Sequence, residues 1–298
     1  MSRSRVPWST VGLLVLAVVT AAVASVALHA TAPAPAARAS PSALASPRDA
    51  IQPLLDIVDR STAYRGAQGT CEGGAVLERS TDGGHSWLPV ALPVTNVMAL
   101  DARVRSALDV VGTGGSAQTA PCVAQLWSSR DAAHSWSGPA DPSSTWFRDP
   151  SQPAQLHTPT GDVPTPCPDP TLPAVQLVAL STTEGVLMCH GGGVYRTVDA
   201  GARWVQRAVL PGAVAMAWRG GDRGWLLDAS GSGCPSLTLM RTADGGTTWR
   251  SGGCVGGATS KVGDGPSLAF ADADVGMAMV GDRVFTTDDG GTTWTDVG

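Results

Sequence analysis

An eight-residue pattern that occurs five times constrains this 298-residue chain more than any other feature. The copies run Ser80 to Trp87, Ser129 to Trp136, Thr197 to Trp204, Thr242 to Trp249 and Thr287 to Trp294, with consensus (Ser/Thr)-x-Asp-(Gly/Ala)-(Gly/Ala)-x-x-Trp. Successive Trp residues lie 49, 68, 45 and 45 positions apart. An apolar run enters each copy, as in Leu237 to Met240 or Val284-Phe285, and Trp opens the returning segment. In such a turn Asp accepts bonds from backbone N–H groups two residues on, and Gly supplies a positive φ at little cost. The Ser or Thr hydroxyl cross-bonds the same turn. Two further short apolar runs lie upstream, in the last copy Ser267 to Phe270 and Val275 to Val280. Each unit therefore reads as four short antiparallel strands, with the motif between the third and the fourth.

A four-stranded unit with a period of 45 to 49 residues predicts an all-β chain folded as a β-propeller. Composition agrees. Charged residues make up 15%, Gly numbers 36 and Pro 22, and the strong helix formers are scarce, with three Glu and one Lys. The interval of 68 residues holds a Pro-rich insertion from about Pro139 to Pro173, either a long surface loop or a degenerate extra blade, so the ring has five blades or six. With a formal net charge of −5, a nucleic-acid partner is excluded.

The N-terminus reads as an export segment. Arg3 and Arg5 precede an uncharged, mostly apolar stretch from Val11 to Ala30, long for a cleavable signal and long enough for one membrane span. Charge asymmetry places the chain beyond Ala30 outside the cytoplasm, either secreted or anchored by residues 11–30. Removing residues 1–30 takes the net charge from −5 to −7. Residues 31–49, rich in Ala, Pro and Ser, form a linker, and the propeller spans 50–298. Six Cys fit an oxidising compartment. Cys234 and Cys254 lie ten residues either side of Asp244, which predicts a disulfide across that hairpin. Cys167 with Cys189 would pin the insertion, leaving Cys71 with Cys122.

The motif resembles the Asp-box (BNR) repeat of β-propellers, a family that includes sialidases and photosystem II assembly factor-like proteins. The resemblance covers roughly residues 51–298. The box residues it marks, Asp82, Trp87, Asp131, Trp136, Asp199, Trp204, Asp244, Trp249, Asp289 and Trp294, are structural: one set per blade, spread around a rim. Box 2 has Ala132 and Ala133 for both glycines, and box 3 has Ala200 for the first. Sialidases are known for an arginine triad, a Tyr–Glu nucleophile pair, an Asp acid/base and a Phe-Arg-Ile-Pro-like motif. Here the nearest echo is Phe147-Arg148-Asp149-Pro150, after box 2 and with Asp for the apolar residue. Tyr64 and Tyr195 are the two tyrosines; Tyr195 and Glu78 fall on third strands, Glu72 adjoins Cys71 and Glu184 lies in a turn. No catalytic set emerges.

Other chemistry fares similarly. Asp272-Ala273-Asp274 and Asp288-Asp289 read as turns. The His residues (His29, His85, His134, His157 and His190) show no metal-ligand spacing, and Gly191-Gly192-Gly193 reads as a tight turn without a phosphate-loop Lys. Among the Trp residues outside the boxes, Trp127, Trp218 and Trp225 fall on strands, while Trp146, beside Phe147, is the candidate ligand contact together with Arg148. The reading is an exported, non-catalytic propeller without cofactor or metal, a platform for a protein or glycan bound through its loops. The alternatives are a sialidase-like glycoside hydrolase with Arg148 on substrate and a lectin-like module using Trp146.

Overall fold

The computed structural model describes residues 53–114, 122–172, 174–231, 233–257 and 265–298, all within one compact unit, Ala45–Gly298. The expected export segment, and all of the linker, lie outside the described residues. Five four-stranded antiparallel blades succeed one another along the chain. Blade 1 is β1 (Pro53–Ile57), β2 (Ala63–Ala67), β3 (Val76–Ser80) and β4 (Leu88–Pro89). Blade 2 is β5 (Asn96–Val104), β6 (Ala107–Thr113), β7 (Gln125–Ser129) and β8 (Ser137–Ala140). A two-stranded hairpin, β9 (Gln155–Thr158) and β10 (Gly161–Pro164), stands apart in the insertion. Blade 3 is β11 (Gln176–Ala179), β12 (Gly185–Met188), β13 (Gly193–Thr197) and β14 (Val205–Val209). Blade 4 is β15 (Ala213–Trp218), β16 (Gly224–Asp228), β17 (Leu237–Thr242) and β18 (Arg250–Val255). Blade 5 is β19 (Ser267–Phe270), β20 (Gly276–Val280), β21 (Arg283–Thr287) and β22 (Thr295–Asp296).

Both faces of a blade are covered by its neighbours, which is why the strands read as short apolar runs. Ile57 and Ala63 of blade 1 pack against Met277 and Val284 of blade 5, closing the ring. Tyr64 and Leu77 of blade 1 meet Val97 and Leu108 of blade 2. Val186 and Met188 of blade 3 meet Met216 and Leu226 of blade 4. Between blades 4 and 5 the Trp225 and Phe270 rings stack at 4.0 Å. Every blade is built from consecutive strands, so the ring closes without strand exchange.

The insertion fills the sector between blades 2 and 3. Phe147 packs on Met98 and Val111 of blade 2, while Leu156 and Val163 pack with Leu187 and Tyr195 of blade 3. Phe147 bridges to His157 of β9, with N–H to O distances of 3.1 and 3.0 Å in the two directions. In chain order Phe147, β9 and β10 correspond to the second, third and fourth strands of a blade. The β9–β10 turn imitates a box: Thr158 is fully buried and its hydroxyl receives the Thr160 N–H at 3.2 Å. The insertion is therefore a degenerate blade rather than a loop, and it lacks an innermost strand.

The box turns share one hydrogen-bond plan. The first-position hydroxyl (Ser80, Ser129, Thr197, Thr242 or Thr287) is buried and donates to the box Asp at 2.8 to 2.9 Å. It receives the N–H of the residue four on, from Gly84, Ala133, Gly201, Gly246 or Gly291, at 2.8 to 3.0 Å. The Asp carboxylate in turn receives the N–H four residues on, as from Thr248 to Asp244 at 2.9 Å. The N–H two residues beyond the Asp, expected from the sequence to bond its carboxylate, goes instead to the hydroxyl, as from Gly246 to Thr242 at 3.0 Å. The turn is wide enough for the Asp to reach across it.

Each box also ties itself to the first turn of its own blade. The N–H of its fourth residue donates to a carbonyl between the first and second strands: Gly83 to Ser61, Ala132 to Ser106, Ala200 to Thr183, Gly245 to Asp222 and Gly290 to Asp274. Box Trp residues then wedge against the preceding sector, Trp87 on blade 5, Trp136 on blade 1, Trp204 on the insertion, Trp249 on blade 3 and Trp294 on blade 4.

The turn can be tested at two positions. Thr242→Val strands the buried Gly246 N–H and should cost about 1–3 kcal/mol in urea unfolding. Thr242→Ser keeps the hydroxyl and should cost far less. Ala132, Ala133 and Ala200 hold φ of 61°, 67° and 54°, a region that penalises a Cβ. Ala200→Gly should therefore stabilise by about 1 kcal/mol, whereas an ordinary Ala→Gly change in a strand destabilises.

Candidate functional site on the disulfide-bearing face

The two faces of the ring differ. One carries the five box turns and the first–second strand turns bonded to them. The other carries all three disulfides. Cys71, between β2 and β3, bonds Cys122, between β6 and β7, and so links blades 1 and 2. Cys167, after β10, bonds Cys189, between β12 and β13. Cys234, ahead of β17, bonds Cys254 on β18. Strand register sets Thr238, not Cys234, opposite Cys254, so the loop ahead of β17 doubles back to make the bond. The Cα–Cα separations of 5.4, 5.5 and 5.4 Å suit disulfides.

Arg148 lies at the edge of this face, at the end of the short strand through Phe147. Its guanidinium donates to the Ala174 carbonyl just ahead of β11. The residue as a whole is half-buried, and burial around the guanidinium pulls its pKa down to about 10. No carboxylate among the described residues forms an ion pair with it. His190, next to the Cys167–Cys189 bond, is held toward its neutral form by burial and by the charge of Arg148, with Asp169 opposing. The site is thus a cation with no ion pair among the described residues, beside an imidazole whose charged form burial and that cation disfavour.

Trp146 is not the exposed contact expected from sequence. It is 6% exposed, its indole donates to the Ser181 carbonyl at 2.8 Å, and its ring meets Trp204 edge-on. It anchors the degenerate blade to blade 3, because that short hairpin has too little apolar surface of its own to hold position. The Gly185 position lies under the ring, where a Cβ would touch it at 3.4 Å.

The residues a sialidase-like mechanism would need are dispersed. Tyr64 is fully buried between blades 1 and 2, and Tyr195 is buried against the degenerate blade. Glu78 accepts from Arg65 at 2.8 Å, and Glu184 lies 3.6 Å from Arg196. Asp272 receives the N–H groups of Asp274 and Val275, a turn as expected. The carboxyls of Asp82, Asp131, Asp244 and Asp289 are held down to about 2, and Asp199 is also lowered, chiefly by bonds from the residue four on. A cleft of about 200 Å³ between blades 1 and 5 on the box face is lined by Ile57, Arg60, Asp82, His85, Val275 and Asp288. Arg60 and Asp288 neutralise each other there at 3.3 Å.

The hub escapes any reading by motif. The innermost strands β1, β5, β11, β15 and β19 surround the axis, and side chains tie one to the next. Asp56 receives the Ala102 N–H of β5 at 2.7 Å, and Gln176 that of Met216 on β15 at 2.7 Å. Arg219, immediately after β15, donates to the carbonyls of Ala271 (2.9 Å) and Ile57 (3.2 Å), joining blades 4, 5 and 1. Burial raises the Asp56 carboxyl to about 7 against the pull of these partners. The one signal in the sequence is a single carboxylate inside the apolar run Pro53 to Ile57.

Five four-stranded blades, each with its box in the third turn, decide the architecture. The fold is an Asp-box β-propeller. No family model and no curated protein matches the sequence. Solved structures do. A GH74 enzyme from Niastella koreensis is 16% identical with a TM-score of 0.46, over 82% of this chain and 46% of that one. YCF48 bound to D1 peptide is 16% identical with a TM-score of 0.32, over 83% and 81% of the two chains. The Hadza microbial sialidase Hz136 is 15% identical with a TM-score of 0.38, over 82% and 57%. The propeller thus spans less than half the length of the GH74 enzyme.

Asp56 gives a pH test. The folded propeller keeps this proton up to about pH 7, whereas an unfolded Asp loses it near 3.8. The Asp56 contribution to stability therefore falls as pH rises from about 4 to about 7 and then levels off. Ala102 and Ile57 bond different oxygens of this carboxyl, at 2.7 and 2.8 Å. Asp56→Asn keeps one acceptor of the two and removes that slope. Relative to wild type, the variant should therefore gain stability in urea between pH 4 and pH 8. The same difference from wild type at both values would show that Asp56 does not carry a raised pKa.

Proposed function

We propose that this chain is an exported, non-catalytic propeller that serves as an interaction platform for a protein or glycan, through the disulfide-bearing face. The observation that carries the reading is Arg148: a buried guanidinium on that face, bonded to one carbonyl and without an ion pair among the described residues. Such a group suits an anionic group supplied by a partner. Export is supported by the N-terminal apolar segment and by three disulfides, which suit an oxidising compartment. An uncleaved segment would add the membrane as a second contact. A net charge of −5 argues against nucleic acid.

The glycoside hydrolase alternative has one observation in its favour, the raised Asp56 carboxyl opposite Tyr64 in the β1–β2 register. Tyr64 is sealed between blades, and its hydroxyl has no hydrogen-bond partner, so substrate has no path to it. The lectin alternative loses its aromatic platform with the burial of Trp146. Purified, disulfide-bonded protein offered aryl glycosides, a sialoside among them, at pH 5 and 7 should release no aglycone. A photo-cross-linker at His190 should capture a partner at the cell surface, and Arg148→Ala should abolish the capture. Glycoside turnover that Arg148→Ala removes would overturn the platform reading in favour of an enzyme.

A further inference from the structure

The degenerate blade has the counterparts of a second, third and fourth strand and no first. The five residues ahead of Trp146 turn instead of extending: the Thr145 N–H and hydroxyl both donate to the Pro142 carbonyl, at 2.9 and 2.6 Å, and Asp141 receives the Ser143 N–H. Pairing of Phe147 with His157 uses both backbone groups of Phe147. By the alternation of antiparallel ladders, the N–H and C=O of Trp146 and Arg148 then face the other way, toward the hub. In every other blade an innermost strand occupies that side. Neither residue has a backbone hydrogen bond on that edge among the described residues.

We infer that this edge accepts an extended segment of a partner polypeptide, which adds the missing innermost strand and places a carboxylate on Arg148. The inference rests on the platform reading and narrows it to a peptide. Main-chain hydrogen bonds to a free edge supply affinity in such additions, and side-chain pockets supply specificity. The innermost strands of the complete blades run antiparallel to their second strands. A segment entering the same way begins on the disulfide-bearing face, so its first residues lie beside Arg148. That cation, bonded to the Ala174 carbonyl and unmatched by any described carboxylate, selects Asp or Glu there. The buried Trp146 and Phe147 hold the edge rigid, which lowers the ordering cost of binding.

The test pans a phage-displayed library of random decapeptides on the full-length, disulfide-bonded protein. The result expected is enrichment of sequences with Asp or Glu ahead of alternating β-branched residues. A synthetic peptide of the enriched sequence should lose at least tenfold in affinity when its alternate backbone nitrogens are methylated, and at least tenfold against Arg148→Gln. The methylated peptide is measured on wild-type protein, so a poorly folded variant does not decide the matter. No enrichment, or binding indifferent to backbone methylation, would overturn strand addition. If the His190 cross-linker still captures a partner in that case, the platform stands and only the peptide mode fails. Binding of oligogalacturonate that Arg148→Gln removes, without peptide enrichment, would also overturn the peptide and assign the cation to an acidic glycan.

Discussion

A buried hydroxyl at the head of each box organises the rest of the ring. It must receive the backbone N–H four residues on and donate to the box Asp, and in doing so it fixes a turn too wide to hold itself by backbone bonds alone. The Asp can then gather the N–H groups beyond, and the fourth residue is left pointing at the first turn of the same blade, where its N–H finds a carbonyl in all five cases. Third and fourth strands are thereby locked to first and second. The box Trp, placed by that turn, is wedged against the preceding sector, so a local arrangement sets the spacing between blades.

The chain closes its ring without a strand shared between first and last blades. Contact between Ile57, Ala63, Met277 and Val284 does part of this work, and Arg219 spans the seam to the Ile57 carbonyl. On the opposite face the disulfides hold segments that no box reaches: the second–third strand loops and the connections between sectors. Box turns and disulfides thus divide the two faces between them. Within the boxes, Ala132, Ala133 and Ala200 keep the conformation that glycine adopts elsewhere. Surrounding hydrogen bonds impose the conformation against the preference of the side chain.

Blade architecture was legible because the box is both periodic and chemically specific: hydroxyl, carboxylate and indole each have one geometric duty. The degenerate blade was harder to read. Its turn, Thr158-Pro159-Thr160-Gly161, keeps the buried hydroxyl but replaces Asp with Thr160 and has no Trp, so little of the pattern survives. Cys234 and Cys254 look symmetric about Asp244, yet Arg241 faces Arg250, so the hairpin centres beyond Asp244 and sets Thr238 opposite Cys254. Trp146 looked available because composition marks the insertion as loop; its burial depends on Trp204 and Gly185, far away in sequence. Asp56 and Arg219 carry no motif at all, since their roles arise only when innermost strands of different blades meet.

A ring of similar blades offers a partner similar surfaces repeated about an axis, and nothing in that repetition chooses one orientation. Selection needs a sector that differs. Here the sector with the weakest repeat signal is the one that lacks its inner strand, leaves backbone groups facing the hub and places beside them an arginine with no ion pair among the described residues. Loss of the box Asp and Trp also has a physical consequence: with no box Trp, the degenerate blade is held by Trp146 reaching forward to blade 3 and Phe147 reaching back to blade 2. Because those two side chains point to opposite neighbours, the backbone between them is fixed across the gap. The same two contacts that stabilise the incomplete blade therefore hold its unpaired edge in place.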